Sequence, residues 1–105
     1  MTPPPLTPQE RADALLKAAD ARRARAQVRA GLKAGTITLT DVIANAADND
    51  VIAKMKVFSL LTAFPGVGKA RAEQIMTRLG IAASRRIRGL GANQKAGLIG
   101  ERALA

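Results

Sequence analysis

From Thr7 to Leu32 the apolar residues recur at helical spacing without ever widening into a broad face. Ala12, Leu15, Leu16, Ala19, Ala26 and the run from Val28 to Leu32 make a thin stripe among alanines and arginines, which favour helix by intrinsic propensity. Thr7 as N-cap, Pro8 at the first helical position and Glu10 at the third form a capping box. Gly31 and Gly35 bracket the far end, and Lys33 lies in the last turn, where a cation is favoured. The pattern predicts one long helix within residues 7–35, of which about twenty-five residues, to about Leu32, make a rod roughly 37 Å long at 1.5 Å each. The proline-rich residues 1–6 before it read as a flexible leader.

A different period starts after Gly35. The Thr36–Thr40 stretch alternates as a strand would, but it is short, and Thr38 with Asp41 three positions on reads better as a second helix cap. Leu39, Val42, Ile43, Ala46 and Ala47 follow at helical spacing, and Asp48, Asn49 and Asp50 break the run as a locally capped turn. Val51 to Phe64 holds the densest apolar content and belongs to the core, and the helix before Pro65 is expected to end near Phe64. Ala72, Ile75, Met76 and Leu79 then face inward on a further helix that Gly80 stops in the left-handed conformation, with Ile81 packing back over the end. Ala96, Leu98 and Ile99 dock a last helix weakened by Gly97 and Gly100. Nothing reads as a convincing strand. The expected fold is all-α: a long N-terminal helix over 7–35 and a compact core of about four helices over 36–105.

Charge narrows the partners. The 105 residues carry 17 Lys and Arg against 8 Asp and Glu, a formal net charge of +9 that suits nucleic acid, an anionic surface or an acidic protein. Without His or Cys, the usual zinc ligands are missing and no disulfide framework exists, so no metal or other cofactor is expected. No run approaches the ~20 apolar residues of a membrane span, and the N-terminus lacks the order of a secretory signal. A soluble, cytoplasmic and monomeric protein is expected. Phe58 and Phe64 are the only aromatics, both in apolar surroundings. A basic chain without stacking platforms suits duplex backbone better than splayed single strands.

Two glycine turns carry the candidate chemistry. The first is Pro65–Gly66–Val67–Gly68–Lys69, opening a helix that also bears Arg71. Gly66 and Gly68 are read as positions that allow positive φ, and the amides of Gly68, Lys69 and Ala70 as unpaired donors aimed at a phosphate oxygen. It is not a nucleotide-binding P-loop, because Ala63 and Ala70 occupy the positions of that motif's first glycine and its Ser or Thr. The pattern resembles the hairpin of helix–hairpin–helix and helix–two-turn–helix proteins, which grip nucleic-acid backbones without reading bases. The second turn, Gly89–Leu90–Gly91, follows Arg85, Arg86 and Arg88 and precedes Asn93 and Gln94 at another helix start. There Leu90 is expected to tuck inward with backbone amides outward, and Asn93 or Gln94 either holds the new helix terminus or reaches a groove. Arginine suits bidentate phosphate contact and narrow minor grooves. Arg22, Arg23, Arg25, Lys54 and Lys56 are accessory candidates; for these arginines and Arg29 a merely solvated face competes with a phosphate-touching arm.

Across LTPQERADALLKAADARRARAQVR, VIAKMKV, FPGVGKARAEQIM and RRIRGLGANQ, nearly the whole chain resembles the actinobacterial integration host factor family. The resemblance implies a long N-terminal helix beside a helix–two-turn–helix core. It also implies a nucleoid-associated protein that binds double-stranded DNA with little sequence preference and alters its shape and topology. A recombinase or integrase is the candidate protein partner. The implied contacts are backbone gripping by Gly66, Val67, Gly68 and Lys69, and minor-groove or phosphate contacts from Arg85, Arg86, Arg88 and the Gly89–Gly91 turn. Arg71, Gln74 and Arg78 keep a major-groove reader open. The rival partner is RNA, since a small-subunit ribosomal protein uses a similar hairpin. Catalysis is not expected: Glu10 and Asp41 read as caps, and Asp13, Asp20 and Glu73 as exposed helical charges.

Overall fold

Both predicted capping boxes form. A computed structural model describes residues 5–104, in which Thr7 Oγ1 accepts from Glu10 N–H at 3.1 Å and opens α1, Pro8–Ala34. Thr38 Oγ1 likewise accepts from Asp41 N–H at 3.1 Å and opens α2, Leu39–Ala46. Gly35, at φ 77°, ends α1, where Gly31 O accepts from Thr36 N–H at 3.0 Å. Of the leader, residues 1–4 lie outside the described residues, and Pro5 and Leu6 are exposed and non-helical.

After α2 the chain makes two short helices, α3 (Asp50–Ala53) and α4 (Val57–Leu61), instead of one continuous segment. Asn49 Oδ1 caps α3 by accepting from Val51 N–H at 3.0 Å, the local capping expected of the acidic turn. The break at Lys54–Met55–Lys56 is held by a distant stretch: Val57 N–H donates to Arg85 O and Ile87 N–H to Met55 O, both at 3.0 Å. This isolated antiparallel bridge between Lys56 and Arg86 joins elements that are otherwise all helix. The helix before Pro65 ends at Leu61, three residues sooner than expected, because Thr62 to Phe64 form turns.

Helix α5 (Lys69–Arg78) follows the first glycine turn. It ends as its sequence predicts, with Gly80 at φ 70°, Ile81 N–H donating to Met76 O at 2.8 Å, and Gly80 N–H to Thr77 O at 3.2 Å. A 3-10 turn at Ile87–Gly89, α6 (Ala92–Ile99) and a second 3-10 turn at Arg102–Leu104 complete the chain. The described residues are all-α, with five short helices where about four were expected, because the Arg86 crossing divides α3 from α4.

One core serves every element. Val28 and Leu32 of α1 join Val42, Leu60, Leu61, Ala72, Ile87 and Leu98 in a single buried cluster. The end of α1 is thus part of the core, whereas its first half projects: every residue from Pro8 to Ala18 is exposed. The 16.0 Å radius of gyration exceeds the roughly 13 Å of a compact chain of this size for that reason. At 100° per residue, Leu15 and Leu16 lie on average about 130° around α1 from Val28 and Leu32. They are 69% and 64% exposed. The thin stripe is therefore two unrelated patches, and only the second one faces the protein.

At the C-terminal end Leu98 and Leu104 are buried, while Ala96 and Ile99, expected to dock, are exposed. Gly97 sits directly on Leu79, and a Cβ there would lie 2.6 Å from Leu79 Cδ2. The residue that weakens α6 by propensity is the one that lets it approach α5.

Candidate nucleic-acid interface

The first glycine turn is anchored by Val67, which is buried, and shaped by Gly66 at φ 77°, a conformation that disfavours side chains with a Cβ. Gly68 has φ −84° and is the N-cap of α5, with open space where a Cβ would lie, so its glycine is not required by backbone geometry. Among the described residues no side chain caps α5. Its first-turn amides at Lys69, Ala70 and Arg71 have no hydrogen-bond partner among the described residues, and they carry the positive end of the helix dipole. Pro65, Gly66, Gly68 and Lys69 are exposed, whereas Val67 offers no side chain to a ligand.

The second turn is built differently from expectation. Gly89 N–H donates to Arg86 O at 2.9 Å, Leu90 N–H to Ile87 O at 3.1 Å, and Gly91 N–H to Gln94 Oε1 at 2.9 Å. Those three amides close the turn on itself instead of pointing outward. Leu90 tucks inward as expected and is buried. Gln94 takes the first of its two anticipated roles: Gly91 has no side chain to cap α6, and the Gln94 amide secures the turn from its other side. Its Nε2 also donates to Gly80 O at 2.9 Å, tying the end of α5 to the start of α6. Asn93 remains exposed.

What this turn presents is cation. Arg85 Nη1 donates to Gly89 O at 2.6 Å, its stem lying 3.0 Å from where a Gly89 Cβ would be. Arg86 Nη1 donates to Lys54 O at 2.6 Å. Each of these guanidiniums has one N–H engaged by the protein and further donors available, so both are held in place without being neutralised. Arg88 is exposed and has no such bond among the described residues.

The Arg86 crossing gathers residues that are far apart in sequence. Arg25, Lys54, Lys56 and Arg86 line one open groove of about 480 Å³ between α1 and the α3–α4 junction, with Asp50 the single acid in its wall. Asp50 Oδ2 lies 3.8 Å from Lys54 Nζ, an exposed pair of little energetic weight. Lys69 lines another groove with Phe58, Glu73 and Ala83, the last of these two residues before Arg85. Arg22 and Arg23 line neither groove, and Arg23 pairs with Asp20 at 3.1 Å. Arg71 is also separate: it lies on the opposite flank of α5, with Gln74, Arg78 and Arg102.

One cation is missed by the sequence reading, and Arg29, read there with Arg22, Arg23 and Arg25 as a solvated face or a phosphate-touching arm, has another role. Lys33, assigned only to the helix dipole, lines a groove with Arg29, Pro65 and Gly66 beside the first turn; its four-residue spacing from Arg29 was the available signal. Arg29 itself is a clamp, its Nη1 donating to Ser59 O, to Ser59 Oγ at 3.0 Å and to Thr62 Oγ1 at 3.3 Å. No helix among the described residues is long and apolar enough to cross a membrane.

Residues 32–102 match the family model described as an S13-like H2TH domain. The chain is 60% identical over 98 residues to an integration host factor of Streptomyces coelicolor, covering 93% of this chain and 92% of that protein. It is 52% identical over 99 residues to an integration host factor of Mycobacterium tuberculosis, covering 94% of each. A solved structure of sIHF bound to an 8bp palindromic DNA aligns with a TM-score of 0.76 and 60% identity, over 78% of this chain and 92% of that one. The chain belongs to the integration host factor family of actinobacteria.

Proposed function

We propose that this member of the family binds double-stranded DNA without a base code, by neutralising phosphates and seating arginines along the minor groove. Arg85, Arg86 and Arg88, with Lys54, Lys56 and Arg25, supply the cations; the first turn of α5, with Lys69, supplies backbone donors. The observation that carries this reading is the basic groove itself: four cations from three separated segments, opposed by one exposed acid. Likeness to a DNA-bound relative supports the same choice. The protein acts as a monomer in solution and as an architectural component of the nucleoid. It bends or compacts DNA and changes its topology, which would assist a recombinase or integrase working on the same duplex.

Neutralising ~5–7 phosphates gives a log–log salt slope of roughly −5 to −6. The test is equilibrium binding to a short random-sequence DNA duplex across a salt series, with an RNA duplex of the same length as competitor. A steep slope with DNA preferred is expected. A flat slope, or tighter binding to RNA, overturns the proposal.

A further inference from the structure

Ser84 carries a hydroxyl that the fold does not use. It is exposed, in a turn closed by Arg85 N–H donating to Ala82 O at 2.9 Å, and its side chain makes no hydrogen bond among the described residues. Ala82 and Ala83 before it are exposed and small, so no bulky side chain shields it. The other hydroxyls are committed. Ser59, the chain's second serine, accepts from Arg29 on α4. Thr7 and Thr38 cap helices, Thr36 donates to Gly31 O at 3.4 Å, and Thr62 donates to Phe58 O at 3.0 Å. Thr40 and Thr77 lie inside α2 and α5, where helical hydrogen bonds hold the backbone. Among the described residues, Ser84 is therefore the one unengaged hydroxyl on irregular backbone, the kind a modifying enzyme reaches without unfolding anything.

Directly after this hydroxyl come Arg85, Arg86 and Arg88. We propose that Ser84 is a phosphorylation site, and that phosphate there turns the arginine segment away from DNA. The inference rests on the DNA-binding reading above. No base is hydrogen-bonded to the hydroxyl, so a separate enzyme supplies one: a serine kinase that uses a nucleoside triphosphate and meets the flanking arginines with an acidic groove. Oγ forms a bond to the γ-phosphorus as the bond to the nucleoside diphosphate breaks. The diphosphate leaves with that electron pair, and the hydroxyl proton passes to the kinase's base. The phosphoserine brings about −1.5 to −2 of charge and three acceptor oxygens, so the three positive charges of the segment fall to about one. Arg85 and Arg86 keep N–H donors beyond those on Gly89 O and Lys54 O, and these are free to form charge-assisted bonds to the phosphate. Charge and donors are withdrawn from DNA together. The fold is spared, because the Val57 N–H bond to Arg85 O and the Arg86 bond to Lys54 O do not involve the hydroxyl.

The experiment treats the full chain with ATP and the catalytic domain of an arginine-directed serine kinase, and maps the phosphate by mass spectrometry. A short random-sequence DNA duplex is titrated before and after. Phosphate is expected on Ser84, and none on that peptide in Ser84→Ala. The phosphorylated protein should bind at least about tenfold more weakly, with a salt slope smaller by about 2, because about two fewer DNA phosphates are neutralised. Its melting temperature should stay unchanged, and unphosphorylated Ser84→Ala should bind as wild type. Phosphoserine inserted at position 84 during translation gives the same comparison without the kinase. The proposal is overturned if the kinase leaves Ser84 unmodified, or if the phosphorylated protein keeps wild-type affinity. It is also overturned if affinity and melting temperature fall together, since the phosphate would then act by unfolding. Each of those outcomes leaves the DNA reading standing, whereas failure of the unmodified chain to bind the duplex would remove both.

Discussion

Arg86 Nη1 donates to the Lys54 carbonyl at 2.6 Å across 32 positions of the chain, alongside the backbone bridge between Lys56 and Arg86. One side chain thereby joins the arginine segment to the junction of α3 and α4. Arg88, two residues on, has no comparable tether among the described residues.

The two arginines should consequently part company on mutation. Arg88→Ala is expected to lower the salt slope of DNA binding by about 1 while leaving thermal stability unchanged. Arg86→Ala should lower it similarly and also cost about 1 kcal/mol of stability, the size of a typical intramolecular hydrogen bond, since Arg86 is exposed. Paired binding and melting curves check this. Equal melting temperatures for the two variants would mean that the Lys54 contact contributes nothing.

The first glycine turn offers an opposite pairing of effects. Gly68 is an N-cap with extended backbone and open space around it, so Gly68→Ser supplies a capping oxygen and should stabilise α5 by a few tenths of a kcal/mol. The same hydroxyl occupies an amide offered to phosphate, and DNA affinity should fall as stability rises. Gly66→Ala places a Cβ on a residue at φ 77°, at a cost of about 1–2 kcal/mol. Urea unfolding and duplex titration of both variants would separate the effects. A Gly68→Ser protein that binds DNA as wild type would remove the α5 amides from the interface.

Arg29 is a structural cation. Its guanidinium reaches Ser59 and Thr62 and holds α1 on α4, so Arg29→Ala should destabilise by about 2–3 kcal/mol. Arg29→Lys restores charge but not the planar fork, and should recover only part of that. Denaturant midpoints with unchanged m-values provide the measurement.

Gln94 uses both ends of its amide. Gln94→Glu keeps the acceptor for Gly91 N–H, loses the donor to Gly80 O, and adds a negative charge near the arginine segment. Its DNA affinity should fall further than that of Gln94→Ala, whereas Gln94→Ala should lose both turn contacts, about 1 kcal/mol each. An affinity order with the alanine variant weaker would mean that Gln94 matters for turn geometry alone.

The features legible in the sequence are those whose physics is local. Thr7 with Glu10, Thr38 with Asp41, and Gly80 with Ile81 each act within six residues, and each forms as the spacing predicts. The two glycine turns and the arginine segment were equally visible as motifs. What was hidden depends on partners distant in sequence. Nothing near Lys54 announces that Arg86 will split α3 from α4, and nothing near Gly97 announces Leu79. The accessory cations show the same limit: Arg25 joins the basic groove, while Arg22 and Arg23 line neither that groove nor the one with Lys69, a difference set by helix phase relative to a core not yet located.

Helix α1 joins two thermodynamic regimes on one continuous rod. Its last turns bury Val28 and Leu32 and should resist amide hydrogen exchange until the core itself opens. Its first turns bury nothing, and an isolated helix of that length is marginal in water. Slow and fast exchange should therefore meet partway along α1, without a break in the backbone to mark the border. A ligand that orders the projecting half loses about 1–2 kcal/mol per residue it straightens. Pro8 and the Thr7–Glu10 box limit that loss, because they form the first turn before anything arrives.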